Sequence, residues 1–147
     1  MAALPGSVLF CCTYNSIRSP MAEGLLKQLH GTRIFVDSAG VRAAEIDGFV
    51  IAAMDEVGID LSRHRAKTFD DLEDTSFDLI ISLSPEAQHR AMEMTRTMAC
   101  DVEFWNTLDP SIIEGGREER LDAYRDVRDG LMQRIRQRFP AMGAPQI

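Results

Sequence analysis

Cysteine, long apolar runs and positive charge in excess are all scarce in this chain of 147 residues. Its three cysteines, two of them adjacent, are an odd count that builds no disulfide framework and suits a reducing compartment. No run approaches the roughly 18 apolar residues of a membrane span. The N-terminus also lacks a charged segment followed by an apolar one, so a soluble, cytoplasmic protein is expected. A net charge of −7, with no basic stripe interleaved with aromatics, argues against nucleic acid or an anionic membrane as partner. The same charge repels anionic substrates at long range, so any anion site must rest on local donors. Internal repeats, low-complexity tracts and linkers are missing. At 45% hydrophobic the composition fits one domain, residues 1–147, with the tail 142–147 expected to fray.

Against that background one stretch stands out. The apolar run Val8-Leu9-Phe10-Cys11 leads into Cys12, the five residues Thr13, Tyr14, Asn15, Ser16 and Ile17 follow, and Arg18-Ser19-Pro20 opens an amphipathic segment. Strand, loop and helix are implied. Ser19 suits an N-cap and Pro20 the first helical position, so the loop amides converge on the positive end of a helix dipole. Such a cradle binds phosphate-like anions. A cysteine at its rim feels the same field, which favours thiolate over thiol and makes Cys12 a nucleophile. Arg18, six residues on, can return over the anion and grip two oxygens at once while staying charged. Asn15 tolerates the left-handed backbone that a loop curling around an anion needs.

The remaining chain alternates strand and helix. Strands are expected at 7–12, 33–37, 77–83 and 101–105. Helices are expected at 19–30 (Met21, Leu25, Leu26 and Leu29 inward), 47–57 (Val50, Met54 and Val57 inward) and from Ser84-Pro85 (Ala87, Ala91, Met94 and Met98 inward). The last, at 118–139, carries Leu121, Tyr124, Val127, Leu131, Ile135 and Phe139 at helical spacing. Gly58 is a stop, 38–40 closes the second strand, and the acidic stretch 70–74 suits a helical turn. His30 and His89 look like helix-surface residues. The class is α/β, one three-layer domain with an open parallel sheet and helices on both faces, its ligand beyond the strands' carboxyl ends. Asp109-Pro110 follows the fourth strand and falls on the same rim as Cys12, although Asp-Pro is also a common turn opener.

Residues 8–23, together with Asp37-Ser38-Ala39-Gly40, the segment 58–66, the strand 77–83 and Asp109-Pro110, resemble the low-molecular-weight protein tyrosine phosphatases and the related thioredoxin-coupled arsenate reductases. The resemblance implies a four-stranded sheet ordered 2-1-3-4. It implies Cys12 as nucleophile, Arg18 as transition-state clamp and Asp109 as general acid, with Ser19, Ser38 and His64 holding Asn15 in place. Phosphate is then bound by Thr13, Tyr14, Asn15, Ser16, Ile17 and Arg18. The chemistry is a phosphomonoester displaced by Cys12, then hydrolysis of the phosphocysteine by water. No metal or other cofactor is required, since loop amides and Arg18 take that role.

Departures from the family pattern are also legible. Tyr14 stands where glycine is usual and Ile17 where a second cysteine is usual. Ser111 and Ile112 replace two tyrosines after Asp-Pro, and a tryptophan-bearing loop is shortened to 41–44. Aromatic walls are therefore missing, and phosphotyrosine preference is less secure than phosphatase chemistry. Without the second loop cysteine, oxidised Cys12 has only Cys11 near in sequence, on the opposite side of a strand. Two alternatives stand beside the phosphatase. One is an arsenate reductase, which needs two further cysteines where Ser82 and Ser84 occupy the strand end and only Cys100 remains. The other is a catalytically weak phosphate-binding module.

Overall fold

The strand β1, Ser7–Cys12, is the axis on which the molecule is built, because its side chains are buried on both sides. Val8, Phe10 and Cys12 point to one face, and Leu9 and Cys11 to the other, as a two-residue period requires. The structure is a computed structural model that describes residues 4–73 and 76–140. β1 pairs in parallel with β2, Phe35–Gly40, on one edge and with β3, Leu79–Ser82, on the other. β4, Asp101–Phe104, extends the sheet beyond β3. The order is β2-β1-β3-β4, the expected 2-1-3-4.

Among the described residues four α-helices cover the sheet: α1, Arg18–His30; α2, Gly48–Asp55; α3, Pro85–Met94; and α4, Arg117–Arg138. Met21, Leu25 and Leu26 of α1, Val50 and Met54 of α2, and Leu121, Tyr124 and Leu131 of α4 close over Val8, Phe10 and Cys12. Ala87 and Ala91 of α3 cover Leu9 and Cys11, with Phe69 and Phe77. The Ser84 hydroxyl caps α3 by accepting from Ala87 N at 3.3 Å, with Pro85 just inside. Emptying the larger core, as in Leu26→Ala, costs about 2–5 kcal/mol.

Several boundaries differ from the pattern reading. β2 starts at Phe35 because the amides of Arg33 and Ile34 both bond back to His30 O at the end of α1. It runs on through Ser38–Gly40, which pair with Phe10–Cys12 instead of leaving the sheet. α2 ends at Asp55: Gly58 takes φ +80°, and Ile59 N returns to Met54 O, closing the turn before Val57 can join the helix. α4 begins one residue earlier, after Gly116, and ends before Phe139. The acidic stretch is a 3₁₀ turn at Phe69–Asp71, and Asp74 lies outside the described residues, as does the tail 142–147. His30 is not a surface residue. It is buried, with Nε2 2.9 Å from Phe139 O, because the end of α4 folds across the end of α1.

Candidate active site

The loop 13–17 leaves the carboxyl end of β1 and turns its carbonyls outward. Cys12 O accepts from Val41 N at 3.1 Å, Thr13 O from Arg42 N at 2.8 Å and Tyr14 O from Ala44 N at 3.1 Å. Asn15 O faces His64 Nε2 at 2.9 Å, Ser16 O accepts from Asp47 N at 3.3 Å, and Ile17 O from Met21 N at 3.2 Å. In a planar peptide the N–H points away from the C=O, so the same bonds aim the loop amides inward. Among the described residues no backbone amide of 13–17 donates to a protein acceptor. These donors converge around Cys12 at the N-terminus of α1, the arrangement that holds an oxyanion.

Asn15 locks the curl. Its φ of 55° is the one left-handed non-glycine backbone among the described residues, and its side chain is fully buried. Nδ2 donates to Ser19 Oγ and to Ser38 Oγ, both at 2.9 Å, while Oδ1 accepts from Lys67 N at 3.0 Å. A backbone amide can only donate, so the Lys67 contact fixes which end of the carboxamide is oxygen. Ser38 Oγ in turn donates to Glu23 Oε1. Ser19 Oγ lies 2.9 Å from Cys12 Sγ, and having accepted from Asn15 it retains one proton to give the sulfur. His64 must carry its proton on Nε2, since its partner is a carbonyl.

Ser19 therefore does not cap the helix. α1 starts at Arg18, with Ile17 at the N-cap and no side-chain cap, which leaves the first-turn donors to the cradle. Gly40 is needed beside it: an added Cβ would meet Asn15 N at 2.7 Å and Arg42 O at 2.4 Å.

Arg18 is mostly buried and donates Nη1 to Thr107 O at 3.0 Å, tying the cradle to the segment after β4. That segment is hung from the sheet by Trp105 N on Ser82 O and Thr107 N on Leu83 O. Asp109, two residues beyond Thr107, is half-buried and caps a short 3₁₀ turn. Its Oδ1 accepts from Ser111 N at 2.9 Å and Ser111 Oγ at 2.7 Å, and Oδ2 has no partner among the described residues. Its charge reaches Tyr124, whose phenol is pushed well above its ordinary range by burial and by its bond to Asp47. Tyr124 Oη donates to Asp47 Oδ2 at 2.9 Å while Asp47 N supports Ser16 O, so this carboxylate links the cradle to α4. Sequence reading missed Asp47, Thr107 and Gly40 as parts of the site. Asp47-Gly48 carried an N-cap signal, but the other two act through backbone atoms.

Tyr14 is 45% exposed beside the cradle, with the Arg42 guanidinium 5.9 Å from its ring centre. Thr13 Oγ1 donates to Ser84 Oγ at 3.0 Å, so the position where a relay thiol was considered holds a buried hydroxyl. Cys11 lies behind the sheet, its thiol pushed well up by burial and by the neighbouring Cys12. Cys100 is also held above its usual value, by partial burial and then by Asp101.

Comparison with known proteins agrees with this geometry. The arsenate reductase of Bacillus subtilis is 35% identical over 130 residues, covering 88% of this chain and 92% of that protein. A structure of an arsenate reductase in the phosphate-binding state superposes with a TM-score of 0.70 at 29% identity, covering 89% of this chain and 94% of the other. A variant of the arginine phosphatase YwlE with a phosphorylated active-site serine superposes with a TM-score of 0.71 at 26% identity, over 89% and 91% of the two chains. A family model described as low molecular weight phosphotyrosine protein phosphatase matches residues 7–144. With the match spanning every described element, the chain belongs to the low molecular weight phosphotyrosine protein phosphatase family.

Proposed function

We infer that the protein is a cysteine-dependent phosphomonoesterase of the protein-tyrosine-phosphatase type, acting through a phosphocysteine. The observation that carries this reading is the cradle, whose carbonyls are all engaged from outside and whose amides face the Cys12 side. In the first displacement Cys12 Sγ attacks phosphorus. The S–P bond forms as the ester P–O bond breaks, while loop amides and Arg18 hold the three equatorial oxygens. Asp109 gives a proton to the departing oxygen through Oδ2, which has no partner among the described residues. Water then breaks the S–P bond, Asp109 takes its proton, and inorganic phosphate leaves. Ser19 steadies the sulfur when it is the leaving group.

The test is p-nitrophenyl phosphate hydrolysis. Cys12→Ser abolishes turnover while phosphate still binds, and Asp109→Ala lowers kcat by about 10²–10⁴-fold. Turnover that survives Cys12→Ser refutes the reading.

Arsenate reduction is the second reading, favoured by the 35% identity to the Bacillus subtilis enzyme. Reduction of arsenate to arsenite consumes two electrons, and a relay inside the chain needs thiols that can reach Cys12. Ser82 ends β3, Ser84 caps α3 just beyond it, and Cys11 packs on the opposite face. A reductase built on this chain must draw its electrons from an external thiol. Arsenite production with thioredoxin, alongside absent phosphatase activity, would select it.

A further inference from the structure

A groove of about 550 Å³ runs between the segment that carries Asp109 and the exposed side of α4, separate from the cradle. Its floor is apolar, made by Leu108, Ile113, Val127 and Leu131. Three carboxylates, Glu119, Asp122 and Asp126, line it against one guanidinium, that of Arg134, which lies 4.9 Å from the centre of the Trp105 ring. Asp122 is paired with Arg125 at 2.6 Å, but Glu119 and Asp126 have no cationic partner among the described residues. The lining Leu108 is itself 55% exposed, and next to the groove Ile112 is 65% exposed. Such exposed aliphatics beside a concave, mostly apolar surface mark a binding site.

We propose that this groove docks a basic, leucine-bearing segment of the phosphoprotein substrate, a proposal that rests on the phosphatase reading above. Charge selects the occupant: unpaired carboxylates over an apolar floor favour side chains that offer aliphatic surface and a cation. Length fits as well. From Glu119 to Arg134 the groove follows α4 for about 22 Å at 1.5 Å per residue. An extended segment of about six or seven residues covers that distance. Position supplies the link to catalysis, because Thr107 and Leu108 line the groove while Thr107 O holds Arg18 and Asp109 follows directly. A segment bound here lies beside the cradle, so the phosphorylated residue of the same chain can reach Cys12.

Gly130 offers the test. It lines the groove in the middle of α4, and a Cβ there meets nothing within 4 Å, so Gly130→Leu fills the groove while improving helix propensity. The probe is a fluorescein-labelled peptide of alternating leucine and arginine without phosphate, read by anisotropy, with glutamate in place of arginine as its counterpart. The wild type should bind the basic peptide and not the acidic one, and Gly130→Leu and Asp126→Lys should each weaken binding at least tenfold. With phosphotyrosine appended, kcat/KM for the basic peptide should fall by a similar factor in both variants, through KM. Hydrolysis of p-nitrophenyl phosphate should not change.

Equal binding of the two peptides, or binding indifferent to both substitutions, overturns the proposal. Sedimentation showing a wild-type dimer that Gly130→Leu dissociates also overturns it, assigning the groove to a second copy of the chain. Absence of p-nitrophenyl phosphate turnover in the wild type refutes the phosphatase reading instead, and the anisotropy result still decides the docking.

Discussion

Asn15 concentrates the most structure in one side chain. Its carboxamide joins α1, β2 and the segment around Lys67, while its backbone takes a conformation that costs most residues about 1–2 kcal/mol. Asn15→Ala should destabilise the fold by about 2–4 kcal/mol, adding that backbone cost to buried partners left unpaired. Asn15→Gly removes the backbone cost alone, so it should recover that part of the stability but not activity. Urea denaturation beside p-nitrophenyl phosphate kinetics separates the two effects. The residue type was legible in the sequence, as were Cys12 and Arg18, because spacing and turn chemistry are local. Ser19 holds Asn15 as the family resemblance implied, but its expected capping role fails for a physical reason. A serine before Pro20 looks like a cap, yet a cradle meant for an anion leaves its first-turn amides free, and the hydroxyl goes to sulfur and carboxamide instead.

Elements in this molecule are joined by charge as well as by apolar contact. Glu56, just past α2, receives Nε and Nη2 of Arg125 at 3.0 and 2.7 Å and Nη1 of Arg128 at 2.7 Å, clasping α2 to α4. Arg128 also donates to Ala53 O at 2.7 Å, so one guanidinium serves both the helix end and the carboxylate. The bonds from Arg125, then those from Arg128, hold the Glu56 carboxyl at about 2 against an ordinary 4.5. Its folded value lies below its unfolded one, so the clasp stabilises fully above about 4.5 and is lost as pH falls toward 2. Glu56→Gln should lower the urea midpoint at pH 7, and the gap from the wild type should narrow at pH 3. A gap that is constant with pH would refute the titration account. Helical spacing in the sequence could not show that another helix end lies within reach of these charges.

Across the whole molecule, the three thiols are distributed so that only one meets the cradle. Cys11 is sealed behind the sheet, Cys100 packs against the same rear core, and Ile17 occupies the loop position next to Arg18. Peroxide should therefore carry Cys12 beyond sulfenic acid, with a mass gain of two oxygens and incomplete recovery in dithiothreitol after prolonged exposure. Full reactivation would show that a resolving thiol reaches it.

The alternation of strand and helix was legible throughout, and so was the class of fold. Contacts that cross long stretches of chain were not: Thr107 on Arg18, Tyr124 on Asp47, and the end of α4 over His30 are set by packing rather than by local pattern. The register of β1 has a further consequence. Cys11 and Cys12 differ in placement only through the pleat, and a slip by one residue would turn the sulfur beside the cradle to the rear core and bring the other forward. Ladders on both edges, Cys11 with Ala39 and with Ser82, make that slip break two rows of pairing at once. Which sulfur faces the cradle is thus a property of strand alignment, guarded by the neighbours of a central strand before any chemistry begins.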